Sequence, residues 1–368
     1  MIVLKATQEQ ILAALQSVGG IVERRHTLPI LANVMLRKTG SVVQLTTSDL
    51  EIQIQTQASL GGDSGDFSTT VGARKLMDIL RSMPSDQSVT LESNQTKLLL
   101  KSGKSRFTLQ TLPAEDFPLV QASASFGPLF SIPQKTLKTL LQQISFSMAV
   151  HDIRYYLNGI LFVAEGKHLS LVATDGHRLA FTSAVLEREV PKQEVILPRK
   201  TVLELLRLLS DKDGSIDMQF APNQARFTFD GAEFVTKLVE GKFPDYNRVI
   251  PKNHKNSVTL GRQALLISLQ RIAILTSDKF KGVRINIEPG LLRVVSSNAE
   301  QEEAVDEIEI DYGGDSIEIG FNVSYLIDVL VNMGEDMVRM DLADSNSSVL
   351  VTIPDNDYFK YVVMPMRI

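Results

Sequence analysis

The side chains best placed for acid–base chemistry are those of Thr174-Asp175-Gly176-His177-Arg178, where a carboxylate, an imidazole and a guanidinium crowd together. A general acid or base needs such neighbours, so this is the strongest enzyme candidate in the chain. The competing reading is a turn, because Asp and Gly after a β-stretch reverse the backbone and satisfy it. The matched segments Ser48-Asp49-Leu50 and Ser297-Asn298-Ala299 keep a polar turn without the His and Arg, which favours the turn. His26, His151, His168, His177 and His254 show no H-x-x-x-H spacing and cysteine is absent, so neither a zinc set nor a thiolate nucleophile is expected. Gly61-Gly62-Asp63-Ser64-Gly65 has neither the Walker nor the dinucleotide spacing, and a flexible hairpin loop is expected there. No catalytic residue, metal or cofactor is expected.

The elements that must carry these residues recur. Apolar residues at i, i+4 and i+7 mark an amphipathic helix at Ile11, Leu15 and Val18, again at Leu137, Leu141 and Ile144, and again at Leu265, Leu269 and Ile272. A second helix recurs around Asp78-Ile79-Leu80, Glu204-Leu205-Leu206 and Asp328-Val329-Leu330, preceded by the apolar pairs Leu76-Met77, Val202-Leu203 and Leu326-Ile327. Between them lie alternating β-branched stretches, 43–49, 169–175 and 292–298, each closing on a polar turn. Three element types share one period of about 125 residues, which chance apolar spacing does not produce. Each unit reads helix, hairpin strands, helix, then further strands such as 105–112 and 225–238, an α+β domain with antiparallel sheet. Exposed linkers at 121–128 and 251–257 divide the chain into three domains, 1–126, 127–253 and 254–368.

Composition limits the function classes. With 43% hydrophobic and 22% charged residues the chain is a folded protein, and its lack of cysteine suits the reducing cytoplasm. Lys5, Gln8, Glu9 and Gln10 interrupt the N-terminal segment where a signal peptide needs an apolar run, and no stretch reaches membrane-spanning length. A net charge of −5 excludes blanket phosphate neutralisation, so any contact with nucleic acid must be local or topological. Local charge does exist. Arg74 and Arg81 are two helical turns apart on the second helix of the first unit, as are Lys200 and Arg207 in the second, with Lys75 and Arg199 beside them. Matched basic faces suit phosphate backbones without regard to base sequence. So few charges hold DNA weakly unless the protein closes around it.

Seven strings decide the family: His26-Thr27-Leu28-Pro29-Ile30-Leu31, Ser105-Arg106-Phe107, Arg154-Tyr155-Tyr156-Leu157-Asn158-Gly159, Ala173-Thr174-Asp175-Gly176-His177-Arg178-Leu179, Phe243-Pro244-Asp245-Tyr246, Phe321-Asn322-Val323-Ser324-Tyr325 and Tyr361-Val362-Val363-Met364-Pro365-Met366-Arg367. With the threefold period they closely resemble the beta subunit of bacterial DNA polymerase III, the sliding-clamp family. That resemblance implies three domains of the clamp fold and a head-to-tail homodimer closed as a ring around duplex DNA. The partners it implies are double-stranded DNA, a second copy of the chain, the catalytic subunit of DNA polymerase III, the clamp loader, and other polymerases and repair proteins carrying a clamp-binding peptide. The alternative is a peptide-binding scaffold that never encircles DNA.

The same resemblance implies residue roles. The peptide pocket would be lined by Leu157, Thr174, Gly176, His177, Arg178, Leu179, Pro244, Arg248, Val249, Asn322, Tyr325, Ser348, Val362, Met364, Pro365, Met366 and Arg367. An apolar cleft of this kind anchors a Leu or Phe side chain. The dimer contact would set Phe107 and Leu109 against Ile274 and Leu275, with Lys104 and Arg106 facing Glu300, Glu302 and Glu303. DNA would meet Arg25, Arg74, Arg81, His151, Arg199, Lys200 and Arg207, where His151 stands in place of the family's neutral amide. In the third unit Ser324 and Val331 occupy the matched basic positions, so positive charge there comes from Arg262 and Arg271 or is lacking.

Overall fold

The computed structural model describes residues 1–23, 27–94 and 96–368. The first repeat runs β1 (Ile2–Thr7), α1 (Gln8–Val18), β2 (Asn33–Thr39), β3 (Val42–Ser48), β4 (Ile52–Ser59), β5 (Phe67–Gly72), α2 (Ala73–Arg81), β6 (Ser88–Asn94), β7 (Lys97–Ser102) and β8 (Ser105–Leu112). The second runs β9 (Phe130–Pro133), α3 (Gln134–Ile144), the long strands β10 (Gly159–Thr174) and β11 (Arg178–Pro198), α4 (Arg199–Leu208), β12 (Ser215–Phe220), β13 (Gln224–Phe229) and β14 (Ala232–Lys237). A single turn, α5 (Tyr246–Val249), precedes the third: β15 (Asn256–Gly261), α6 (Arg262–Ile272), β16 (Gly282–Glu288), β17 (Leu291–Ser297), β18 (Glu303–Glu309), β19 (Ile317–Asn322), α7 (Val323–Asn332), β20 (Met337–Leu342), β21 (Val349–Ile353) and β22 (Asn356–Val363). Every repeat therefore opens with a strand that the helical spacing did not announce.

The chain packs as two compact units, residues 1–135 with 203–238, and residues 136–202 with 239–368. In the first, one antiparallel sheet has the order β1-β6-β7-β8-β5-β2-β3-β4-β14-β13-β12-β9, joining the two repeats where β14 pairs with β4. In the second, a six-stranded sheet β10-β11-β22-β21-β20-β15 joins two repeats where β11 pairs with β22, and β18-β17-β16-β19 forms a second sheet.

The helices sit as their apolar stripes require. Ile11, Leu15 and Val18 of α1, Leu137, Leu141 and Ile144 of α3, and Leu265, Leu269 and Ile272 of α6 are all buried. Each fully buried residue of this size stabilises the fold by roughly 1.5–3 kcal/mol. Leu203 breaks the pattern and is half exposed on α4. A capping box starts α1, with Thr7 Oγ1 accepting from the Gln10 N–H and the Gln10 side chain accepting from the Thr7 N–H.

The Gly61 loop is tied to β1 and β2. The buried Lys38 Nζ donates to Gly61 O at 3.0 Å, the Ile2 N–H donates to Asp63 Oδ2 at 2.6 Å, and Gly62, at φ +96°, leaves no room for a Cβ, which would stand 2.8 Å from Ile2 O and Val3 O. Only glycine fits so close to the β1 backbone in that conformation.

Candidate functional site

In the second unit a cleft of about 220 Å³ opens where β11 pairs with β22. Leu179 and Val362 face each other across the strands, and both are buried. They join Leu157, Leu161, Phe243 and Leu350 in one apolar cluster that forms the floor. The walls are Thr174, Gly176, His177, Arg178, Pro244, Val249 and Met364, together with Arg154 and Tyr156. Small-molecule pockets run to roughly 300–1,000 Å³, so this cleft suits one or two side chains of a longer ligand.

The Asp175 turn shapes one wall. Asp175 Oδ1 accepts from the backbone N–H of His177 at 2.9 Å and of Arg178 at 3.1 Å, while Thr174 Oγ1 donates to Arg178 O and accepts from the Gly176 N–H. The carboxylate is thus spent on the turn and on Arg178 Nε, 3.1 Å from Oδ2, and the exposed His177 ring stacks on Tyr325 instead. Arg178 donates again from Nη1 to Asp328 Oδ2 at 2.6 Å and from Nη2 to Phe146 O at 2.8 Å, and its guanidinium carbon lies 4.4 Å from the centroid of Tyr325. Burial opposes its charge, but the Tyr361 hydroxyl, Asp328 and Asp175 outweigh that and raise its pKa. Burial likewise pushes the phenols of Tyr361 and Tyr325 up. Across the mouth, Arg154 grips Asp152 from Nε and Nη2, and these bonds hold the Asp152 carboxyl down at about 2.

Several expected pocket residues stand outside this lining. Arg248 is exposed and paired with Asp245. Asn322 caps α7, its side chain accepting from the Ser324 N–H. Tyr325 lies behind Arg178, and Ser348 is half-buried away from the lining. Met364 N–H donates to His177 O, whereas Met366 N–H donates to Gly320 O, which carries Pro365, Met366 and Arg367 toward β19. Arg154 and Tyr156 went unassigned although they belong to the string that contains Leu157.

The basic helix faces divide by repeat. Arg74, Arg81 and Arg207 line one cleft of the first unit with Gln16, Gly19, Gly20, Met77 and Asp78. Arg74 donates twice to Val22 O, Arg81 pairs with Asp78, and Arg207 grips Glu204 while donating to Gln16 O at 3.1 Å. On α4, Arg199 is half-buried and Lys200 exposed, and His151 is exposed at φ +56°. Arg25 lies outside the described residues. In the third repeat, Arg262 is turned to the end of α7, donating to Leu330 O and Glu335 O, and Arg271 pairs with Asp306 while its side chain stays 67% exposed. Val331 is 55% exposed.

Of the expected dimer contacts, Lys104, Arg106, Glu300, Glu302 and Glu303 are exposed, Phe107 and Leu275 are half-buried, and Ile274 is 79% exposed. Leu109 is only 6% exposed, because alternation along β8 turns it, with Phe107, toward the face that packs near Leu98.

Three copies of one strand-helix-strand unit, joined by sheets that run across their seams, define a clamp-fold protein. Models of the DNA polymerase III beta subunit match the N-terminal domain over residues 2–121, the central domain over 131–245 and the C-terminal domain over 247–367. The chain belongs to this family, the beta sliding clamps. It is 47% identical over 365 residues to the beta sliding clamp of Pseudomonas aeruginosa and 42% identical over 361 residues to that of Escherichia coli, covering 98% of each chain in both cases. A crystal structure of the DNA polymerase III subunit beta from Pseudomonas aeruginosa superposes with a TM-score of 0.96 at 46% identity over the whole of both chains. A Pseudomonas aeruginosa clamp bound to griselimycin also reaches 0.96, over 99% of each chain.

Proposed function

We propose that this protein is a cytoplasmic processivity factor that closes as a head-to-tail homodimer around duplex DNA, slides on it, and tethers polymerases, the clamp loader and repair proteins through the β11–β22 cleft. The three clamp domains are taken as 1–126, 127–253 and 254–368. The observation that carries closure is a pair of open strand edges of opposite charge. β8 pairs with β7 along its length but with β5 only at Thr111 and Leu112, which leaves one edge of Ser105–Gln110 unpaired. Among the described residues β18 pairs only with β17, and it carries Glu303, Glu307 and Glu309. An open edge is a template for another strand, and Lys104 and Arg106 on one side suit the acids on the other. Exposed Ile274 and half-buried Phe107 supply the apolar contact.

Nothing in this arrangement calls for turnover. The ring acts by topology, weak phosphate contacts let it slide, and the cleft anchors an apolar peptide end. Light scattering after gel filtration tests closure. The wild type should elute as a dimer and Ile274→Asp, which buries a charge in the contact, as a folded monomer. A wild type that remains monomeric at micromolar concentration would contradict the ring and leave a scaffold that does not encircle DNA.

A further inference from the structure

Arg178 lines the cleft from the second repeat, yet much of what holds it comes from the third. Three residues apart on α7, Tyr325 and Asp328 share a helix face and present a ring and a carboxylate together to one guanidinium. With Asp175 and Phe146 O on the other side, one donor on each of the three Arg178 nitrogens is taken. Two carboxylates surround this single cation, whose side chain is only 10% exposed. The guanidinium that faces the cleft is therefore already held between two carboxylates, and nearby Asp328, 40% exposed, adds negative potential against an acidic side chain. Asp328 is not itself among the lining residues.

We infer that Asp328 is a positioning residue of the cleft, fixing Arg178 as a neutralised wall and so setting a preference for apolar over acidic side chains. The inference rests on the peptide reading of the cleft given above. Specificity then comes partly from repulsion: removing Asp328 frees Nη1 for a ligand carboxylate and leaves a less rigid wall for a Leu or Phe anchor.

The test uses the full-length protein and two fluorescent peptides, one ending in Leu-Phe and one in Asp-Phe, titrated by polarisation. Wild type should favour the Leu-Phe peptide. Asp328→Asn should lower that affinity by about tenfold and raise that for Asp-Phe, while Asp328→Glu keeps the wild-type ratio. Melting temperatures measured in parallel separate this from simple loosening of the fold. If Asp328→Asn shifts both affinities by one factor, or shifts neither, Asp328 does not set specificity. A wild type that binds neither peptide would overturn the peptide reading itself.

Discussion

Arg178 shows what a sequence conceals. Its string marked it as a ligand contact, but its shortest hydrogen bond is to Asp328, 150 residues away, and only the fold reveals that its donors are engaged internally. Gly176 is the opposite case, since a turn residue beside Asp175 was legible and the structure adds the reason. At φ +90° a Cβ there would stand 3.0 Å from Arg154 Nη2. Gly176→Ala should therefore destabilise by roughly 1–3 kcal/mol and displace Arg154, seen as a lower urea midpoint together with weaker peptide binding. An unchanged midpoint would show that the turn relaxes freely. Asp152 carries a pH signature. Its folded pKa of about 2 lies below the ordinary 3.8, so its contribution is present above pH 3.8 and is lost as pH falls toward 2. Asp152→Asn should be less stable than wild type near neutrality, with the gap closing across that window in acid-unfolding curves; a gap that persists at pH 2 would contradict this assignment.

At the scale of elements, the long helices among the described residues were legible because their apolar stripes are buried as the spacing requires, Leu203 apart. The strands that open each repeat were not, since β9 has only four residues and β1 and β15 six each, and short runs carry little period. Invisible too was a clasp repeated three times. The first helical residue of each leading helix reaches the end of the second helix: Gln8 Nε2 donates to Leu80 O, Gln134 Oε1 accepts from Ser210, and Arg262 donates to Leu330 O. In the first and third repeats these bonds satisfy carbonyls that the C-terminal end of a helix leaves orphaned, and in the second Gln134 takes the Ser210 hydroxyl just past the end of α4. The role persists while the residue changes, and it turns the Arg262 guanidinium onto the end of α7. Gln8→Ala should cost about 1 kcal/mol in urea unfolding, and Arg262→Ala more because two acceptors lose their donor. Equal stability in both variants would make the clasp incidental.

For the molecule as a whole, net negative charge with arginines gathered on the helices of the first two repeats predicts weak, salt-sensitive contact with DNA. On a short linear duplex, Arg81→Gln should reduce the slope of log affinity against log salt by about 0.9, whereas Arg271→Gln, in the repeat that carries Ser324 and Val331 at the matched basic positions, should change it little. The reverse ranking would move the phosphate contacts to the third repeat. Affinity of that kind cannot hold a polymerase in place, and the central claim is that topology does. The direct measurement is retention at high salt on a nicked circular plasmid loaded by a clamp loader, before and after the plasmid is linearised. A closed ring stays on the circle and slides off the linear form; loss from both alike would mean that binding is only electrostatic and would contradict encirclement.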